Sequence, residues 1–136
     1  MNNVELNVGT RISGDGATTM TGKHYSVSEL REYLKNTEDK FKIEYFVNDF
    51  EIPSNYTNEK EASEYLENKF DGLYKFILSF NDNSPTGCSG KVQSSKFGPL
   101  ETEMFEFLER QYGSVGDVFD YIGYYGLEFI IIEKQL

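Results

Sequence analysis

Cys88 and His24 are the sequence's only thiol and its only imidazole. Cys88 sits in Pro85-Thr86-Gly87-Cys88-Ser89-Gly90-Lys91, and His24 lies far from it along the chain. A thiol nucleophile needs a lowered pKa and a base to take its proton. The fold would have to assemble a Cys88–His24 dyad, and one cysteine with one histidine is weak ground for that. A loop cysteine and an incidental histidine is the preferred reading. The same segment ends Gly90-Lys91, as a phosphate-binding loop does. That motif needs Gly five residues before its second Gly, and Ser or Thr after Lys. Pro85 and Val92 stand there instead. Gly14-Asp15-Gly16 is a turn without calcium-loop spacing. Paired carboxylates such as Asp49 with Glu51, or Asp117 with Asp120, have the chemistry of a glycosidase or a two-metal nuclease. With 23 carboxylates in 136 residues, such pairs are expected by chance. No catalytic residue, metal ligand or cofactor is assigned, and the chain is expected not to be an enzyme.

The elements that would position these groups follow from patterning. Residues 4–12 alternate apolar and polar, Ser13-Gly14-Asp15-Gly16 turns, and Thr18-Thr19-Met20 returns, so residues 4–25 are expected to form a β-hairpin. Ser26-Val27-Ser28-Glu29 is a capping box that opens a helix to about Asn36, with Val27, Leu30 and Leu34 inward. Phe41 to Phe50 alternates as a strand, which Pro53-Ser54-Asn55 ends. Thr57 or Asn58 caps a helix to about Phe70, with Ala62, Tyr65, Leu66 and Phe70 inward, and Gly72 stops it. Leu73 to Phe80 reads as a central strand. Residues 81–99 read as a long polar loop. Leu100 to Tyr112 reads as a helix with Leu100, Met104, Phe105, Leu108 and Tyr112 on one stripe. Ser114 caps a short helix carrying Val115, Val118, Phe119 and Ile122. Leu127 to Glu133 closes the chain as a strand. The expected fold is α+β, in the order β-β-α-β-α-β-α-α-β. It has one mixed or antiparallel sheet of about five strands with three to four helices, in a single domain spanning residues 1–136.

Composition bounds the function. Ten Tyr and eleven Phe supply core area to a chain that is only 38% hydrophobic. A lone cysteine allows no internal disulfide, the first residues do not read as a signal peptide, and no apolar run is long enough for a membrane span, so a cytoplasmic protein is expected. The Asn55-Tyr56-Thr57 sequon is then incidental. The formal net charge is −10, from 23 acids and 13 bases. Residues 1–42 hold six of each, so the whole excess lies in the acidic portion, residues 43–136. A protein this acidic is repelled by nucleic acid and by anionic membranes. Glu61, Glu64, Glu67 and Asp71 lie off the apolar stripe of their helix. Glu103, Glu106 and Glu109 do so on the next, and Asp117 and Asp120 continue the pattern. Carboxylates three or four residues apart recur every ~5 Å along a helix, a ladder comparable to a nucleic-acid backbone. The plain alternative is a solvated face that keeps the protein soluble.

One stretch carries a family likeness. Ser28-Glu29-Leu30-Arg31-Glu32-Tyr33-Leu34 forms a short helix. After an acidic linker come Glu44-Tyr45-Phe46-Val47-Asn48-Asp49-Phe50-Glu51-Ile52-Pro53 and an acidic helix with Glu61-Ala62-Ser63-Glu64-Tyr65-Leu66. Residues 27–70 resemble the first domain of ArdA-type antirestriction proteins, and Asp49 and Glu51 match that family's pattern. The family's usual opening segment is missing from residues 1–25. The resemblance implies a phage or mobile-element protein, in the cytoplasm of a bacterial host, that imitates DNA and occupies a host nuclease. Small acidic phage inhibitors of CRISPR nucleases are similar in size and charge. The expected partner is a host restriction or CRISPR nuclease, or another protein with a basic nucleic-acid-binding cleft. The alternative is an interaction or immunity module that docks through exposed aromatics such as Tyr121, Tyr124 and Tyr125.

Overall fold

A computed structural model describes residues 4–52, 58–80 and 87–136, and their side chains apart from that of Asp49. In chain order the elements are β1 (Arg11–Ser13), β2 (Gly16–Thr18), β3 (His24–Tyr25), α1 (Val27–Asn36) and β4 (Phe41–Glu51). Then follow α2 (Glu59–Lys69), β5 (Tyr74–Phe80), β6 (Gly87–Ser94), α3 (Leu100–Tyr112), α4 (Val118–Tyr125) and β7 (Phe129–Lys134). The class is α+β with an antiparallel sheet, as the patterning predicts, but there are seven described strands rather than five. The chain forms two compact units: residues 1–43 with 97–136, and residues 44–96.

In the first unit the strands run β3-β2-β1-β7, and β4 begins there at Phe41. The expected hairpin forms, with Arg11 opposite Thr18 and Ser13 opposite Gly16. It is shorter than the alternation suggests, because the chain folds back before Arg11. The Thr10 amide donates to the Asn7 carbonyl, the Thr10 hydroxyl accepts from the Asn7 amide, and Gly9 supplies a φ of 92°. The capping box opens α1 as expected: the Ser26 hydroxyl accepts from the Glu29 amide while Glu29 accepts from the Ser26 amide. Leu30 is α1's fully buried residue. The hairpin turn also explains a glycine inside α4. A Cβ on Gly14 would meet the Gly123 backbone, so the two glycines let turn and helix approach closely. Ile12, Phe41, Leu108, Ile122 and Phe129 fill the core, with Phe107 edge-on to Phe129 at 6.2 Å.

In the second unit the strands run β4-β6-β5. Residues 81–99, read as a loop, contain β6, and it takes the central place. β5, read as central, is the edge. Gly87, Gly90 and Lys91 are residue types depleted in strands, so β6 is held by pairing on both sides rather than by its own residues. Its small residues are useful there: a Cβ on Gly90 would strike the Ile77 carbonyl. One face of this sheet packs on α2. Tyr45, Val47, Tyr74, Phe76, Leu78 and Val92 are buried, as are Ala62, Leu66 and Phe70. Phe70 lies 5.3 Å from the Phe76 ring, 5.9 Å from Tyr74 and 6.2 Å from Phe50. A bulge between Val47 and Phe50 shifts the phase of β4. Before it Tyr45 and Val47 face the core; after it Ile52 does, with Glu51 exposed. Pro53-Ser54-Asn55 and the sequon lie outside the described residues, and the cap of α2 is Asn58.

Candidate functional site

The thiol chemistry finds no support in its surroundings. Cys88 is fully buried, its Sγ donates to the Phe50 carbonyl at 3.3 Å, and burial raises its pKa. A thiol held in its protonated form is a poor nucleophile. The exposed His24 ring is 3.1 Å from the Thr18 hydroxyl. Among the described residues no three His, Cys, Asp or Glu side chains gather as metal ligands, and no helix is long and apolar enough to cross a membrane.

The eleven acids read as a partner-binding face divide by what the fold does with each. In the second unit, Glu51, Glu61, Glu64 and Asp71 are exposed. Glu67 is half-buried, and its carboxylate accepts the Phe76 amide of the edge strand at 3.2 Å. It ties α2 to β5 and is not free for a partner. Asp49 belongs to the same strand as Glu51, but its side chain lies outside the description. In the first unit Glu103 is 2% exposed, so it is a core residue and not a surface acid. The buried stripe of α3 is Leu100, Glu103, Met104, Phe107 and Leu108, one step round from the stripe read in the sequence. Glu106 is half-buried, while Glu109 and Asp120 are exposed.

Asp117 has structural work. It, rather than Ser114, caps α4: Oδ1 accepts from the Phe119 amide at 2.9 Å and from the Asp120 amide at 3.2 Å. Both carboxylate oxygens also accept from Arg31 Nη2, at 2.8 and 2.9 Å. Desolvation works to raise its pKa, but the Arg31 hydrogen bond, the Asp120 and Phe119 amides and the Arg31 charge outweigh it and hold it low. Asp39 is also held low, first by the Tyr33 hydroxyl, against some desolvation, and then by Lys134. Tyr33 in turn is pushed up to about 12, mainly by burial. A carboxylate with a lowered folded pKa stabilises the fold above its unfolded value. That contribution is lost as pH falls through the folded value. Asp117→Ala is therefore expected to cost about 1 kcal/mol near neutral pH. Urea midpoints should show the gap to wild type narrowing as pH drops below the carboxylate range. A gap that does not change with pH would place the cost outside ionisation.

The charge asymmetry of the sequence does not carry over into the first unit. Bases from residues 1–42 meet late acids there: Arg11 pairs with Glu128 at 3.1 Å, Arg31 with Asp117, and Lys42 with Glu133 at 3.7 Å. This unit still holds 14 acids against eight bases. In the second unit, with nine acids and five bases, the two faces differ. Glu59, Glu61 and Glu64 are exposed on α2 and make no ion pair among the described residues, and Lys60 is exposed beside them. On the opposite face of the sheet, Phe46 and Ile77 flank Lys91 in register, and Lys75 lies one row away. All four are exposed.

Sequence reading missed the packing around the tyrosines at the end of the first unit. Tyr121, Tyr124 and Tyr125 fall at i, i+3 and i+4 on α4, whose buried residues are Val118, Phe119 and Ile122. Tyr112 of α3 stacks on Tyr125 at 4.2 Å and 13°, and Tyr124 stands at 84° to Tyr125 with centroids 5.0 Å apart. The helical spacing was a visible signal; the stack with Tyr112 required the turn between α3 and α4. Comparison with protein-family models, with curated proteins and with solved structures finds no match.

Proposed function

We propose that this chain is a non-enzymatic binding protein whose exposed carboxylates dock onto a basic surface, in the manner of a nucleic-acid mimic, and that it inhibits a nucleic-acid enzyme. The observation that carries the reading is the pair Glu61 and Glu64, three residues apart on the side of α2 away from buried Ala62 and Leu66, with Glu59 exposed in the first turn of the same helix. These acids make no ion pair among the described residues, in a chain of net charge −10. Like charges so close cost a helix a few tenths of a kcal/mol per pair, a cost that binding to a cation-lined cleft reverses. The resemblance of residues 27–70 to ArdA-type antirestriction proteins points the same way, with a restriction or CRISPR nuclease of a bacterial host as the partner. The working set is narrower than eleven acids. Glu67, Glu103 and Asp117 serve the fold, Glu106 is half-buried and the Asp49 side chain lies outside the description, which leaves Glu51, Glu61, Glu64 and Asp71 in one unit and Glu109 and Asp120 in the other as the exposed members.

Inhibition assays on a panel of purified restriction and RNA-guided nucleases test the reading. Electrostatic docking is fast and weakens steeply as salt rises. An inhibited nuclease should recover as ionic strength is raised from about 50 to about 200 mM. Inhibition that ignores salt, or a panel left untouched, argues against mimicry.

A second reading is favoured by the tyrosines. Tyr124 is 84% exposed and Tyr125 43%, an uncommon display for rings of this size. Aromatic anchors commonly dominate interface energy, and this cluster is a docking patch for a protein partner.

A further inference from the structure

We propose that the tyrosine patch at the end of α4 is a receptor for an arginine side chain of a protein partner, with Tyr124 and Tyr125 as its aromatic walls and Asp120 as its counter-ion. The inference deepens the tyrosine-docking reading and rests on it. An open hollow of about 460 Å³ is lined by Asp120, Tyr121, Tyr124 and Tyr125. Two aromatic rings line it nearly at right angles, Tyr124 and Tyr125 meeting at 84°. The Tyr125 wall is held in place. Tyr125 is stacked on Tyr112, and Tyr121 lies 5.9 Å from it with its hydroxyl donating to the Ser114 carbonyl at 2.8 Å. Preorganised rings lose little freedom when a ligand arrives.

Charge selects the occupant. A ring face carries the negative end of the aromatic quadrupole and attracts a cation within about 6 Å of its centroid. Asp120 is exposed and lines the same hollow. No lysine or arginine lines it. Residues 97–136 hold eight acids and two bases, and one of those bases, Lys134, is paired with Asp39. A guanidinium fits better than an ammonium, because it is planar, stacks on a ring and can present a fork of N–H donors to a carboxylate at the same time.

NMR of the full chain, following tyrosine ring protons, tests this with N-acetyl-arginine amide and its neutral isostere N-acetyl-citrulline amide. Arginine should move the Tyr124 and Tyr125 rings along a saturating curve, and citrulline should bind at least about three-fold more weakly. Tyr124→Ala and Asp120→Asn should each weaken arginine by about three- to five-fold, while Tyr124→Phe, which keeps the ring face, should retain it. Tyr124 is too exposed for its loss to disturb folding. Equal responses to arginine and citrulline would overturn the cation assignment and leave an apolar stacking patch. An arginine response unchanged in Tyr124→Ala would overturn the site. Loss of partner binding in Tyr124→Ala without any arginine response would sink this inference while leaving the tyrosine-docking reading intact.

Discussion

Phe70→Ala is expected to destabilise the unit formed by residues 44–96 by about 3–5 kcal/mol. Phe70 is 1% exposed and closes α2 against the sheet, with its ring against Phe50, Tyr74 and Phe76. Removing it leaves a cavity that three rigid rings cannot collapse into, so lost transfer energy and lost packing add. A unit of this size has only a few kcal/mol of net stability to lose. The control lies on the other face of the same sheet. Phe46 is 60% exposed, and Phe46→Ala should stay within about 0.5 kcal/mol. Urea denaturation followed by circular dichroism separates the two. Similar losses from both would mean that the sheet is covered on both faces.

Glu103→Lys should destabilise the fold by about 3 kcal/mol or more, whereas Glu109→Lys should be nearly neutral. The two glutamates lie on the same helix, and the sequence assigns both to its polar side. Only Glu109 is exposed. Glu103 is buried at 2%, in a place where a Cβ on Gly98 would run into its carboxylate. Gly98 is itself tied to Phe41 by reciprocal backbone hydrogen bonds of 2.8 and 3.2 Å. A lysine there would force an ammonium into a site built around a carboxylate, with no water to solvate it. Thermal melts of both variants check this. Equal melting temperatures for Glu103→Lys and wild type would show that the helix turns its other side to solvent.

That pair shows where sequence patterning stops. In α3, a stripe through Leu100, Met104, Phe105, Leu108 and Tyr112 and one through Leu100, Met104, Phe107 and Leu108 both satisfy helical periodicity. Aromatics occur on both, so periodicity alone does not choose between them. Elements with a local chemical signature were legible. The Ser26–Glu29 box, the Gly14 turn, Asn58 as a possible cap and the core positions Ala62, Leu66 and Phe70 follow from neighbours within four residues. β6 was not legible, because Gly87-Cys88-Ser89-Gly90 is a strand only when β4 and β5 hold it on either side. The site was half legible. Acidic residues announce themselves, but whether each faces solvent, caps a helix or closes an edge depends on partners distant in sequence, as Arg31 is from Asp117 and Phe76 from Glu67.

The most direct measurement concerns the exposed acids of α2. A nuclease inhibited by the wild-type chain should be inhibited at least about ten-fold less by the triple variant Glu59→Lys, Glu61→Lys, Glu64→Lys. Its circular dichroism should stay close to wild type and its melting temperature should fall only by a few degrees, because Glu59 and Glu61 stand in the first turn, where cations oppose the helix dipole, but none of the three side chains is buried. Undiminished inhibition by a folded triple variant would contradict the account.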